Sequence, residues 1–177
     1  MHRKLKSPPS INELNSDLFA PEKDERYSSP LEARKKAMDY LARREYGQKE
    51  LIRKLANAGY DHAVADAAVR QLTADGLQDD RRFVELFIQS RINQGKGPVR
   101  VQAELGQKGL PGGLVDQVLD DTEIDWYELA TKVKVRKFGS DVPKDFKTKA
   151  KQMRFLQQRG FEQSHIQSAV SGADDNF

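Results

Sequence analysis

The sequence predicts an all-α fold in which three tandem three-helix repeats form an elongated, curved body. From residue 30 onward, apolar residues recur every three or four positions, which is the spacing of one helix face, and strand-like alternation is nowhere sustained. A six-residue motif with Leu first and Gly fifth also occurs three times, at 55–60, 105–110 and 156–161. An internal repeat of about 50 residues is typical of stacked helical units.

The repeated motif is typical of a helix that ends at glycine. Its Leu is expected to pack inward on the last helical turn, and Gly accepts the left-handed backbone conformation of a helix C-cap. A further helix then begins, at Asp61 in the first copy and at Pro111 in the second. Chance spacing of common Leu and Gly pairs is the alternative, but matching apolar flanks in all three copies argue against it.

The predicted boundaries divide the chain into a flexible N-terminal arm at 1–29 and repeats at 30–77, 78–122 and 123–177. The arm is rich in Pro and Ser, and a segment this short is usually disordered alone. Ser29 followed by Pro30 predicts the start of the first helix, because a hydroxyl caps the helix and Pro is preset for its first turn. Such small units bury little core alone, so we expect them to stack.

Apolar faces indicate the helices of each repeat in order. The first repeat has one face at Leu51, Ile52, Leu55 and Ala56, and another at Val64, Ala68 and Leu72. The second has a broad face at Phe83, Val84, Phe87, Ile88 and Ile92. The third has a face at Trp126, Leu129, Ala130 and Val133.

Composition argues against several classes of protein. The chain has no Cys, which excludes disulfides and thiolate metal sites, and its three His stand at no metal-ligand spacing. No catalytic arrangement can be proposed from so few His, so we expect no enzyme activity and no cofactor. No apolar run approaches the roughly 20 residues that span a bilayer, and none follows the basic start at residues 1–6 as a secretion signal requires. We therefore expect a cytoplasmic protein without a secretion signal.

Two acidic pairs and one glycine-rich turn have ordinary structural explanations. Asp79-Asp80 and Asp120-Asp121 fall at predicted helix junctions, where Asp caps a helix or interacts with its dipole. The turn from Gly95 to Pro98 lacks the spacing of a phosphate-binding loop and follows no strand. It is expected to end one helix and start the next, although contact with a phosphate stays open as an alternative.

Positive charge concentrates in the third repeat. The net charge is +3, yet ten Lys and Arg lie between residues 132 and 159, where only Asp141 and Asp145 oppose them. Clustered cations displace counterions from a phosphate backbone. We therefore expect an anion-facing surface formed by Lys132, Lys134, Arg136, Lys137, Lys147, Lys149, Lys151 and Arg154. A solvated helix face is the alternative, and the next candidates are Arg43, Arg44, Lys96 and Arg100.

Helical spacing adds detail to this basic region. Lys147, Lys151 and Arg154 recur at i, i+4 and i+7, so they should share one exposed face. The set Phe146, Ala150 and Met153 recurs similarly and is expected to face the core. Among the aromatic residues, Phe138 is the best candidate for base stacking, because it lies beside a cation at a helix end.

Three segments resemble the RecX family of RecA regulators. Residues 44–55 resemble the family's first-repeat motif, and residues 76–83 with Phe87, Ile88 and Arg91 resemble the entry to its second repeat. The segment 95–109 is the strongest match, with Glu104-Leu105 and Lys108-Gly109 in family order. The resemblance covers residues 30–172 and is weakest in the third repeat, where a longer link surrounds residues 139–143.

This resemblance implies the same three-repeat fold and a non-catalytic function. It implies binding along the groove of the RecA–DNA filament, with inhibition of RecA recombinase, ATPase and co-protease activity in recombination, DNA repair and the SOS response. DNA would be contacted through the filament, and we expect the chain to be a monomer. There are two alternatives: a general nucleic-acid-binding helical module, and a helical scaffold whose basic face is incidental.

Overall fold

The computed structural model describes residues 25–172, and this part contains nine α-helices and no strand. The predicted all-α class with three consecutive three-helix repeats is confirmed. A 3₁₀ turn at Glu25–Ser28 precedes the helices. The first unit holds α1 (Pro30–Leu41), α2 (Gln48–Asn57) and α3 (His62–Ala74); the second holds α4 (Asp80–Asn93), α5 (Pro98–Gln107) and α6 (Gly112–Asp121); the third holds α7 (Trp126–Phe138), α8 (Phe146–Gln158) and α9 (Gln163–Ser171).

Helix starts follow the predicted capping chemistry. Ser29 Oγ accepts a hydrogen bond from the backbone N–H of Glu32 at 3.4 Å, and Pro30 is the first residue of α1. Asp79 caps α4 by accepting from the N–H groups of Arg81 and Arg82 at 2.7 and 3.1 Å. A side-chain oxygen at this position satisfies N–H groups that have no partner within the helix.

The repeated motif forms the same turn in all three units. Gly59, Gly109 and Gly160 directly follow the C-caps of α2, α5 and α8, and each has a positive φ, of 103°, 82° and 84°. The next residue folds back in each copy, donating its N–H to the carbonyl of the motif Leu at 3.2 Å. The three Leu side chains, Leu55, Leu105 and Leu156, are each 0% exposed, as predicted.

Each unit has its own small core. The first is built around Leu51, Leu55 and Leu72. The second is the largest set and includes the predicted face from Phe83 to Ile88, with Ile92 packed against it. The third is centred on Leu156, Phe161 and Ile166, and its predicted residues Trp126, Leu129 and Val133 are only partly buried.

Backbone atoms join the second unit to the third. The N–H groups of Gly97 and Val99, at the start of α5, donate to the carbonyls of Arg159 and Gly160 at 2.8 and 3.1 Å. The start of one helix therefore satisfies the end of another, whose unpaired groups and dipole are complementary. This approach depends on glycine, because a Cβ on Gly97 would lie 2.5 Å from the carbonyl carbon of Gly160.

Side-chain hydrogen bonds, rather than backbone ones, link the first unit to the second. The N–H of Gln48, at the start of α2, donates to Asp80 Oδ1 at 2.8 Å, and Gln78 Nε2 donates to the same oxygen at 2.8 Å. Arg82 binds the Glu45 carboxylate through two nitrogens at 2.6 and 3.2 Å. The Asp80 carboxylate thus accepts from an N–H at the start of α2, as backbone carbonyls do at the start of α5. Its neighbour Asp79 makes the predicted cap of α4.

The predicted arm lies mostly outside the described residues, which begin at 25. Its last residues pack on the first unit: the Tyr27 ring lies edge-on to Tyr60 at 5.5 Å, and the Tyr27 carbonyl accepts from Asp61 N–H at 3.1 Å. Within residues 25–172, every helix falls short of the length or the apolar character that crossing a membrane demands.

Candidate nucleic-acid interface

Helices α7 and α8 carry the basic residues of the third unit, and most of them are exposed. The exposed members of the predicted set are Lys132, Arg136, Lys137, Lys147, Lys149, Lys151 and Arg154. Lys144, in the loop between the helices, is also exposed but was not a predicted site residue. The loop's only acidic residues, Asp141 and Asp145, lie before the cations of α8, and Asp145 caps that helix through Thr148 N–H at 2.8 Å.

Lys134 does not belong to this surface, so that part of the prediction is wrong. Its side chain is 2% exposed, because it lies one helical turn after the buried Ala130 on the inward face of α7. The ammonium reaches the loop that follows and donates to the carbonyls of Ser140 and Asp141 at 3.2 and 2.7 Å. Its long apolar stem makes such burial possible, so Lys134 anchors the loop after α7.

Four of the predicted cations meet in one cleft, which we call the α7–α8 cleft. It has a volume of about 810 Å³, and among its described lining residues are Lys137, Lys147, Lys151 and Arg154 but no Asp or Glu. The predicted common face of Lys147, Lys151 and Arg154 is confirmed by this arrangement. Charges gathered in a concave site with apolar walls act together on an anion more strongly than scattered ones.

The other predicted cations of this unit point elsewhere. Arg136 lines a neighbouring cleft of about 460 Å³ that faces Gln94 and Gly95 of the second unit. Lys132 pairs with Glu128 on the preceding turn at 2.7 Å. Lys149 lies two residues from the nearest cleft lysines, which places it about 200° around α8 from them. The eight candidates therefore do not form one continuous surface.

Phe146 lines the α7–α8 cleft, and its predicted position in the core is wrong. Its side chain is 87% exposed, the largest value among the described large apolar residues. It is the first residue of α8 and lies about 120° around the helix from Gln152, the first buried position. Ala150 and Met153, from the same predicted face, are partly buried.

Phe138 forms part of the cleft wall. It is partly buried, and its ring meets that of Phe155 edge to face, with centroids 5.2 Å apart. The Arg159 guanidinium lies over the Phe155 ring, 5.0 Å from its centroid, in a cation–π contact. The cleft therefore combines a fixed aromatic wall, one exposed aromatic ring and four cations.

The candidate cations of the second unit are bound to a carboxylate. Glu104 accepts from Arg91, Lys96 and Arg100 at 2.5, 2.9 and 2.9 Å. Burial raises the pKa of Glu104, but the hydrogen bonds from Arg100, Arg91 and Lys96 outweigh it and lower the pKa to about 2. Lys96 and Arg100 thus hold structure together, although the cluster keeps an excess of two positive charges.

Arg44 has an equivalent partner in the first unit. It donates to Glu50 at 2.7 Å, and Lys108 reaches the other carboxylate oxygen at 3.1 Å from the second unit. Burial raises the pKa of Glu50, but its hydrogen bonds with Arg44 and Lys108 bring the pKa below the ordinary value. The fourth candidate, Arg43, is exposed.

The turn from Gly95 to Pro98 makes structural contacts. Lys96 Nζ is bound to Glu104, and the N–H of Gly97 is bound to the carbonyl of Arg159. These are the donors that a phosphate would use. The prediction that this segment ends one helix and begins the next at Pro98 is confirmed.

Sequence reasoning missed the two carboxylates that hold the candidate cations. The i, i+4 spacing of Arg100 and Glu104 could have indicated one pair. The contact between Lys108 and Glu50 spans 58 residues, so only the folded chain reveals it.

Comparisons with known proteins agree with the repeat architecture. Models of the first, second and third three-helix domains of RecX match residues 33–72, 79–119 and 123–170. A protein from Halorhodospira halophila named "Regulatory protein RecX" is 41% identical over 79% of this chain and 87% of its own length. One of the same name from Pseudomonas entomophila is 42% identical over 82% of this chain and 94% of its own length.

Solved structures share the fold at lower identity. A crystal structure of a regulatory protein RecX covers 93% of this chain and 80% of its own, with a TM-score of 0.69 and 21% identity. The structure of RecX from Lactobacillus salivarius covers 80% and 94%, with a TM-score of 0.68 and 18% identity. Three domain matches in order, together with relatives above 40% identity over most of the chain, show that this protein belongs to the RecX family of regulatory proteins.

Proposed function

We propose that this chain is a non-catalytic, monomeric and cytoplasmic regulator that binds the RecA–DNA filament and inhibits the recombinase, ATPase and co-protease activities of RecA. RecX membership supports the RecA partner. The observation that supports a contact with the nucleic acid of the filament is the α7–α8 cleft, where four cations meet without an acidic lining residue among those described. Such a site favours a phosphate backbone, because bound cations release its counterions.

The cations of the first two units contribute less to this contact. Arg44, Lys96 and Arg100 are committed to Glu50 or Glu104, and a phosphate would have to compete with those carboxylates. The α7–α8 cleft has no such competition from its described lining, so its cations are available to an external anion. The remaining exposed cations of α7 and α8 would add to its long-range attraction.

The direct test measures the ATPase activity of RecA on single-stranded DNA at increasing concentrations of this chain. The variant K147E/K151E/R154E should need at least about tenfold more protein for equal inhibition, because up to three phosphate contacts are lost and each contributes roughly 0.7–0.9 to the salt slope. Its fold should persist, since all three residues are exposed.

A charge-matched control separates a specific surface from net charge. The variant K35E/R53E/R70E reverses three exposed cations of the first unit, two of which form only exposed pairs with Glu32 and Asp66. It should inhibit like the unchanged chain. Equal inhibition by the cleft variant would refute the cleft as the contact and move it to the first two units. Binding to DNA without any effect on RecA would favour a general nucleic-acid-binding module instead.

A further inference from the structure

The α7–α8 cleft has the chemistry of a site for unpaired bases as well as for phosphates. Its cations are Lys137, Lys147, Lys151 and Arg154, and the same cleft is lined by Phe146, whose side chain is 87% exposed. Exposure of a whole Phe ring to water is unfavourable, and a cleft with an apolar wall offers it a partner. From this combination we infer that the cleft binds single-stranded nucleic acid, with Phe146 stacking on an unpaired base.

Geometry favours a base over another apolar occupant. Phe138 lines the same cleft as Phe146, and its edge-to-face contact with Phe155 at 5.2 Å holds it in place. One ring is therefore fixed and the other is free to adjust. An occupant must present a flat apolar face and negative charge together, since cations and aromatic rings line the same cleft. A nucleotide of a single strand has both, whereas a paired base in a duplex keeps its faces stacked inside the helix.

The nearest acidic residues do not oppose this assignment. Asp145 directly precedes Phe146, but its carboxylate accepts from the N–H of Thr148 and so is directed to the start of α8. Asp141 belongs to the loop whose carbonyls accept from Lys134, and it is not among the described residues that line the cleft. The charge around the exposed ring is thus predominantly positive.

This inference rests on the proposed nucleic-acid contact and adds a preference for one form of nucleic acid. The full chain is titrated against a fluorescent 20-nucleotide dT strand and a 20-base-pair duplex, with anisotropy as the readout at several salt concentrations. The variant F146A should bind the single strand at least about fivefold more weakly, the lower end of base–aromatic stacking. Duplex affinity and the salt slope should stay unchanged, because no phosphate contact is removed.

Two further variants make the result specific to stacking. F146W keeps an aromatic face and should retain single-strand affinity. L86A removes another exposed apolar side chain, 56% exposed on α4, and should have no effect. Equal losses for single strand and duplex in F146A, or no loss for either, would overturn the inference.

Failure of the inference and failure of the proposed function give different results. If K147E/K151E/R154E weakens RecA inhibition while F146A binds the single strand normally, the phosphate contact stands and base stacking is wrong. If the unchanged chain inhibits RecA but binds no isolated strand, base stacking is again overturned and the filament proposal stands. If the charge reversal leaves inhibition intact, the cleft loses its place in the proposed function.

Discussion

Replacing Gly160 with Ala should detach the third unit from the second. The new Cβ would lie 2.6 Å from the backbone nitrogen of Arg100 and 3.0 Å from its Cα, and the residue has a φ of +84°. Left-handed strain costs about 1 kcal/mol and overlap with backbone atoms about 1–3 kcal/mol, so we expect a loss of about 2–4 kcal/mol in unfolding free energy. Backbone atoms, unlike a flexible side chain, cannot move aside locally.

Two other glycines divide this cost into its parts. Gly76 has a φ of +72°, follows the C-cap of α3 as Gly160 follows that of α8, and has nothing within 4 Å of an added Cβ. Gly76→Ala therefore measures left-handed strain alone, about 1 kcal/mol. Gly97 has a φ of −84°, which Ala adopts freely, but its Cβ would meet the backbone of Gly160 at 2.5 Å. Gly97→Ala therefore measures the overlap alone, about 1–3 kcal/mol.

Urea unfolding followed by two signals provides the assay. The single Trp of the chain, Trp126, packs against the core of the third unit, while far-UV circular dichroism reports all helices. In Gly160→Ala and Gly97→Ala the Trp126 transition should move to lower urea, ahead of the circular dichroism transition. Coincident transitions with no more loss than Gly76→Ala would refute the role given to this junction.

Two more predictions concern the second unit and its charge cluster. Leu105→Ala should lower the unfolding free energy by about 2–5 kcal/mol, because Leu105 is 0% exposed. The control Leu86→Ala, at an exposed position, should change the unfolding free energy by less than about 0.5 kcal/mol. Equal losses in urea titrations would contradict the core assignment of Leu105. Glu104→Gln should cost about 1–3 kcal/mol at pH 7, since three cations lose a charged partner. Because the pKa of Glu104 falls from 4.5 to about 2 on folding, this stabilisation is present above about pH 5 and is lost as the pH falls toward 2. The two proteins should thus converge in acid, and a difference that does not change with pH would show that Glu104 acts only by packing.

Local patterns were enough to predict the repeat and its turns. Each motif carries its own information, since a buried Leu and a left-handed Gly lie four residues apart on the same helix end. Helix starts at Ser29 and Asp79 were predictable for the same reason, because capping acts over two or three residues. These features need no knowledge of which units touch.

The candidate site was predicted less well, because its errors depend on tertiary contacts. Lys134 looks like its exposed neighbours in the sequence, and only the loop carbonyls at 140 and 141 explain its burial. Phe146 fits the apolar period of α8, but within residues 25–172 no helix covers this first residue of α8. Lys108 and Glu50 are too distant in the chain for spacing rules to connect them.

The two junctions between units also differ in how freely their linking groups can rotate. Units two and three are linked by peptide groups, so no rotatable side-chain bond lies between the bonded atoms of Gly97, Val99, Arg159 and Gly160. Units one and two are linked through the side chains of Asp80, Arg82 and Glu45, whose torsions can change while their contacts persist. We therefore expect bending of the molecule to be concentrated at the first junction, with the last six helices moving together and carrying the α7–α8 cleft.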